Sequence, residues 1–171
     1  MRLLHLIMRH RRSIVVLAVV AAAFAFVGKA SAATPSIGTF TFTDSYVDDG
    51  ASAACGFPVT STATTSVLFQ VFFDQSGNPI RVQLHEDSSG TFTANGLSVN
   101  QTSHQLTILN LVAGTETDIG ILIHVSIPGG GTLYLDRGLL MFDSNGNLLF
   151  EAGPHPSFHG DFPGLCAALT P

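Results

Sequence analysis

Beyond residue 32 the groups able to do chemistry are five histidines, two arginines and all twelve carboxylates. His155, His159 and Asp161 fall within Pro154-His155-Pro156-Ser157-Phe158-His159-Gly160-Asp161. Imidazoles with a carboxylate are zinc or copper ligands, so these three are the candidate metal set. The segment is broken by prolines, so the four-residue spacing does not put both rings on one helix face, and plain surface histidines are the simpler reading. His85 beside Glu86, and His124 with Asp118, have the residue types of an acid and a base. A solvent-facing or hydrogen-bonded strand histidine explains either one equally. Arg137, in Asp136-Arg137-Gly138, and Arg81 are the only cations of this part of the chain. Each is read as a structural ion pair, for Arg137 with Asp136 or Glu151, or as an anion site. Arg81, His85, His124 and Arg137 therefore form the candidate ligand- or anion-binding set. Asp44, Asp48 and Asp49 offer oxygen ligands for calcium but lack the spacing of a known calcium loop. With no G-x-S-x-G elbow and no cysteine placed as a nucleophile, no catalytic residue is assigned and no cofactor is implied.

These groups must be positioned by strands. Gly131 to Gly153 contains two apolar runs joined by Asp143-Ser144-Asn145-Gly146-Asn147, which predicts a β-hairpin. The turn repeats the pattern F-D-x-x-G-N found at Phe73 to Asn78. Further strands are expected over Ile37–Thr43, Thr64–Asp74, Pro79–Glu86, Gly90–Ala94, Leu97–His104, Gln105–Val112 and Thr115–Ile127, with a tight turn at Asn95-Gly96. In the last of these, Ile119, Ile121, Ile123, Val125 and Ile127 alternate with less apolar residues, and that branched face is expected to be core. Asp44 to Gly56 reads as an irregular acidic loop. The tail from Pro154 reads as irregular, with one helical turn over Leu165–Leu169. Nowhere past residue 32 do apolar residues recur at helical spacing for three turns. The expected fold is all-β and antiparallel, a small up-and-down barrel of about eight strands, with a two-sheet sandwich as the alternative.

Residues 1–32 read as a signal peptide: a basic start with Arg9-His10-Arg11-Arg12, the 14 apolar residues Ile14–Val27, and the cleavage signal Ala30-Ser31-Ala32. The apolar run is short of the roughly 20 residues of a spanning helix, so no stable membrane span is expected after cleavage. Residues 33–171 are expected to form a single domain. There, two arginines stand against twelve acids, a formal charge of −10. Phosphate backbones are repelled by such a body, so nucleic acid is excluded as a partner. The two cysteines, Cys55 and Cys166, read as a disulfide in an exported protein, against the alternative of two buried thiols.

Cys55-Gly56-Phe57-Pro58-Val59, Phe73-Asp74 with Gly77-Asn78-Pro79, Pro128-Gly129-Gly130-Gly131, Asp136-Arg137-Gly138, Glu151-Ala152-Gly153-Pro154-His155 and Cys166-Ala167-Ala168-Leu169 follow one another in that order. Together they resemble a group of secreted actinobacterial proteins of unknown function, over most of residues 40–169. The resemblance implies an extracellular domain with a Cys55–Cys166 link and implies no reaction. The functional expectation is a secreted, non-catalytic barrel that takes a small apolar or amphipathic ligand in its lumen or mouth. The alternatives are a secreted enzyme using His85, His124 or His155, and a structural protein of the cell envelope. Composition and spacing leave the oligomeric state open.

Overall fold

The computed structural model describes residues 34–171; the expected signal peptide and its cleavage site lie outside the described residues. Seven strands follow in chain order: β1 (Ser36–Val47), β2 (Thr60–Phe73), β3 (Pro79–Ala94), β4 (Leu97–Asn110), β5 (Thr115–Ser126), β6 (Thr132–Phe142) and β7 (Leu148–Ala152). They pair antiparallel with their sequence neighbours in one sheet ordered β1 to β7. The fold is thus all-β and up-and-down. Among the described residues β1 and β7 are not paired with each other, so the hydrogen-bonded ring is not closed. Two short helices, α1 (Asp49–Cys55) and α2 (Pro163–Ala168), complete the elements.

There are fewer strands than expected because two expected breaks are absent. Asp87-Ser88-Ser89 looks like a turn in the sequence. In the sheet these residues face Ser66, Thr65 and Thr64 on one side and His104, Ser103 and Thr102 on the other, so β3 runs through. β4 likewise joins Leu97–His104 to the residues that follow. The true turn is Asn95-Gly96, with φ of 52° and 78°, the left-handed pair that a two-residue hairpin requires. The two F-D-x-x-G-N copies fold alike. One Asp74 oxygen accepts the backbone N–H groups of Ser76 and Asn78, each at 2.8 Å; Asp143 does the same for Asn145 and Asn147, each at 2.8 Å. The amide of Asn78 or Asn147 donates to the second oxygen. These bonds favour the carboxylate form, that side-chain amide foremost, and hold both acids below the usual aspartate range.

The acidic segment Asp44–Gly56 is not irregular. β1 extends to Val47, and Asp48 caps α1, its carboxylate accepting the Ala51 N–H at 2.8 Å. Gly56 ends the helix at φ 76°, the left-handed cap that glycine adopts without strain. Burial pushes the Asp48 carboxyl up, against the pull of these backbone bonds. Asp48 is committed to the cap, and Asp44, Asp48 and Asp49 are not among any group of three carboxylates gathered to hold a metal ion in the described residues.

One face of the sheet, called inner here, carries the core. At one end Phe92, Val99, Val125 and Tyr134 pack with Leu165 and Leu169 from the C-terminal segment and Ala51 of α1. At the other, Val67, Val71, Val82 and Leu84 pack with Phe40, Phe42 and Phe69. Between them lies a polar band that includes Thr65, Gln105, Thr107 and Asp118, all buried; the Thr107 hydroxyl donates to Asp118 at 2.6 Å.

The branched face of β5 does not stay on the core side. Ile121 faces His104 and Arg137, but Ile123 faces Asp136, and Leu122 has no register partner on either side. This is a β-bulge, in which one extra residue reverses the alternation beyond it. Ile119 is 36% exposed on the outer face, whereas Val125 is fully buried on the inner one.

Cys55 and Cys166 are joined, Cα to Cα 5.0 Å apart, across 111 residues of sequence. The link ties the end of α1 to α2 and is consistent with an oxidising compartment. Closing a loop of roughly 100 residues restricts the unfolded chain by about 4.7 kcal/mol in the chain-entropy account. Replacing both cysteines with serine is expected to lower the unfolding free energy by about 3–5 kcal/mol in a urea titration. A loss below about 1 kcal/mol would mean the link is not what holds the two helices to the sheet.

Candidate functional site

The bulge places Ile119 and Ile121 on the outer face, beside a region where backbones come unusually close. Gly120 of β5 sits directly opposite Gly138 of β6. A Cβ at Gly138 would fall 2.0 Å from the Ala152 carbonyl oxygen, and one at Gly120 would fall 2.4 Å from that of His104. Their φ angles, 134° and 123°, lie where side-chain-bearing residues are strained. The result is a strip of close backbone approach at Gly120 and Gly138, flanked by aliphatic groups.

An open trough of about 650 Å³ follows this strip. Ile119, Ile121, Leu139, Ala152 and Pro154 give it an almost wholly apolar lining, and His104 and Arg137 stand along it. A second groove of about 320 Å³ shares His104 and Ile119 and continues past Leu106 to His85 and Asp87. Both lie on the outer face, the one opposite the core.

The carboxylates around Arg137 are engaged elsewhere. Asp136, its chain neighbour, points to the inner face, where one oxygen is 2.7 Å from Nδ1 of His155 and the other accepts the Ser157 hydroxyl. Glu151 Oε1 is 2.7 Å from Nε2 of His159. Asp87 Oδ1 is 2.5 Å from Nδ1 of His104. Among the described residues no carboxylate pairs with Arg137, so neither expected ion pair, to Asp136 or Glu151, forms.

The other candidates are dispersed. Arg81 is exposed and lies over the ring of Phe72, 4.1 Å from its centroid, a cation–π contact. His124 Nε2 is 2.9 Å from the Thr132 hydroxyl. His155 is buried, its Nε2 donating to the Ala152 carbonyl at 3.1 Å, so both ring nitrogens are committed and neither is left for a metal. Asp161 is exposed, its backbone N–H donating to Pro156. The set His155, His159 and Asp161 is thus not assembled, and among the described residues no three His, Cys, Asp or Glu side chains gather to hold a metal ion. Among the described residues no hydrogen bond links His85, His124 and His155.

Two features escape sequence reading. His104 had a usable signal: counting outward from the Asn95-Gly96 turn sets Asp87 opposite His104. Tyr134 had none. Its hydroxyl is the one buried side-chain oxygen or nitrogen without a hydrogen-bond partner among the described residues. Burial, with the nearby Asp48 and Asp136 carboxylates, pushes the phenol well above its ordinary range.

The chain matches no family model, no curated protein and no solved structure.

The His155–Asp136 pair and the Tyr134 hydroxyl should respond oppositely to deletion. His155→Leu leaves a buried carboxylate with only Ser157, and is expected to cost about 3–5 kcal/mol in denaturant unfolding. Tyr134→Phe removes a group that bonds to nothing, and is expected to be neutral or up to about 1 kcal/mol stabilising. Equal losses in the two variants would contradict this assignment of partners.

Proposed function

We propose that the mature chain is a secreted, non-catalytic binding module for a small apolar or amphipathic ligand, and that the ligand lies in the outer trough between β5, β6 and the end of β7. The leader composition and the disulfide support export. The single observation that carries the binding reading is the trough itself. It is an open depression of about 650 Å³ with an almost wholly apolar floor, and small-molecule sites are mostly apolar with a few polar groups that orient the ligand. The trough's aliphatic floor and two polar residues match that description. The scattered histidines, each held by a local partner or set apart on its own strand, give no support to acid–base catalysis.

The energetics set a test. Burying one methylene is worth about 0.8 kcal/mol, close to fourfold in affinity, and an open trough realises part of that. Calorimetric titration with octanol, decanol and dodecanol is expected to show affinity rising with chain length by roughly two- to fourfold per methylene. In Ile119→Asp, which puts a charge on the floor, the trend should be lost. Binding that does not depend on chain length, or that survives unchanged in Ile119→Asp, would remove the trough as the site.

A further inference from the structure

We infer that the trough selects an aliphatic carboxylate, its tail along the floor and its head on the Arg137 guanidinium. This rests on the binding reading above and adds the chemical class of the ligand. Beyond residue 32 the chain carries twelve acids and two arginines, so a cation there is expected to be neutralised by its own chain. Arg81 is occupied by the ring of Phe72. Arg137 is exposed and stays unpaired among the described residues; Asp136, beside it in the chain, holds His155, Glu151 of the adjoining β7 holds His159, and Asp118 of β5 accepts the Thr107 hydroxyl. Arg137 is among the residues along an almost wholly apolar trough, and a guanidinium can meet a carboxylate with two parallel N–H donors. The inference needs both observations: a free cation alone would take any anion, and an apolar trough alone would take any hydrocarbon.

The ligand implied is a free acid and not the headgroup layer of a membrane. An extended anionic surface meets the whole protein, whose charge past residue 32 is −10, and is repelled. A single carboxylate brings one charge against that field and can set it directly on Arg137, where the nearest attraction outweighs more distant, screened repulsion.

The experiment compares decanoate with decanol, which share a tail and differ in the head, on the full mature protein at low salt. Decanoate is expected to bind roughly fivefold tighter, the upper range for an exposed ion pair. That ratio should shrink toward one in 0.5 M salt, a concentration chosen so that screening is strong, and in Arg137→Gln, while Arg137→Lys retains part of it. Equal affinities in the unmodified protein would overturn the carboxylate assignment and leave the trough reading standing. A preference that persists in Arg137→Gln would overturn the role of Arg137. Binding of neither compound would overturn both readings. Phosphatidylglycerol vesicles serve as the last arm. Capture of the protein by the vesicles without binding of free decanoate would overturn the choice of a free acid.

Discussion

One unpaired residue decides what each face of this sheet presents. Up to Ile121 the alternation of β5 sends isoleucines outward; Leu122 is inserted without a partner; from Ile123 onward the branched residues turn inward to meet Asp136 and Tyr134. Without that bulge Ile119, Ile121, Ile123 and Val125 would share a face. With it, Val125 anchors the core against the C-terminal segment while Ile119 and Ile121 form the floor of an outer trough. Core and trough draw on one apolar stretch of chain, divided by one residue. Gly120 and Gly138 lie opposite each other between these outward residues, and a side chain at either would meet the backbone of His104 on β4 or of Ala152 on β7.

The polar groups follow a matching logic. A chain with twelve acids and few cations cannot satisfy its carboxylates with lysine and arginine. Here histidines and backbone N–H groups serve instead: Asp74 and Asp143 fold their own turns, Asp48 caps α1, and Asp136, Asp87 and Glu151 take histidines. The Asp136–His155–Ser157 group has the residue types of a hydrolase triad, but the serine hydroxyl bonds the carboxylate and not the imidazole, and Nε2 is held by a backbone carbonyl. It joins the segment after β7 to the inner face of β6, a structural part that turns the Asp136 carboxylate away from Arg137.

Much of the fold was legible from local chemistry. The Asn95-Gly96 turn, the repeated F-D-x-x-G-N turns, the antiparallel order, the Cys55–Cys166 link and the helical turn near Cys166 each depend on residues close in sequence, or on a simple count of sulfurs. What escaped was set by tertiary contacts. Asp87-Ser88-Ser89 reads as a loop until strands on both sides make it a ladder. Asp48 reads as part of a loose acidic cluster until α1 needs a cap. The bulge is invisible because Leu122 is itself apolar, so the alternation of β5 looks unbroken. The candidate site was legible in part: Arg137 and His85 were found by type, whereas their setting required the register, which brings in His104 and puts Asp136 on the opposite face.

The claim on which the account rests is that Ile119 and Val125 lie on opposite faces of β5. Methyl NMR with a soluble paramagnetic agent reads this directly on the full mature protein. The Ile119 methyls are expected to relax strongly and those of Val125 to remain protected. Equal protection at both positions would mean that β5 alternates without interruption, and the outer trough would lose its floor.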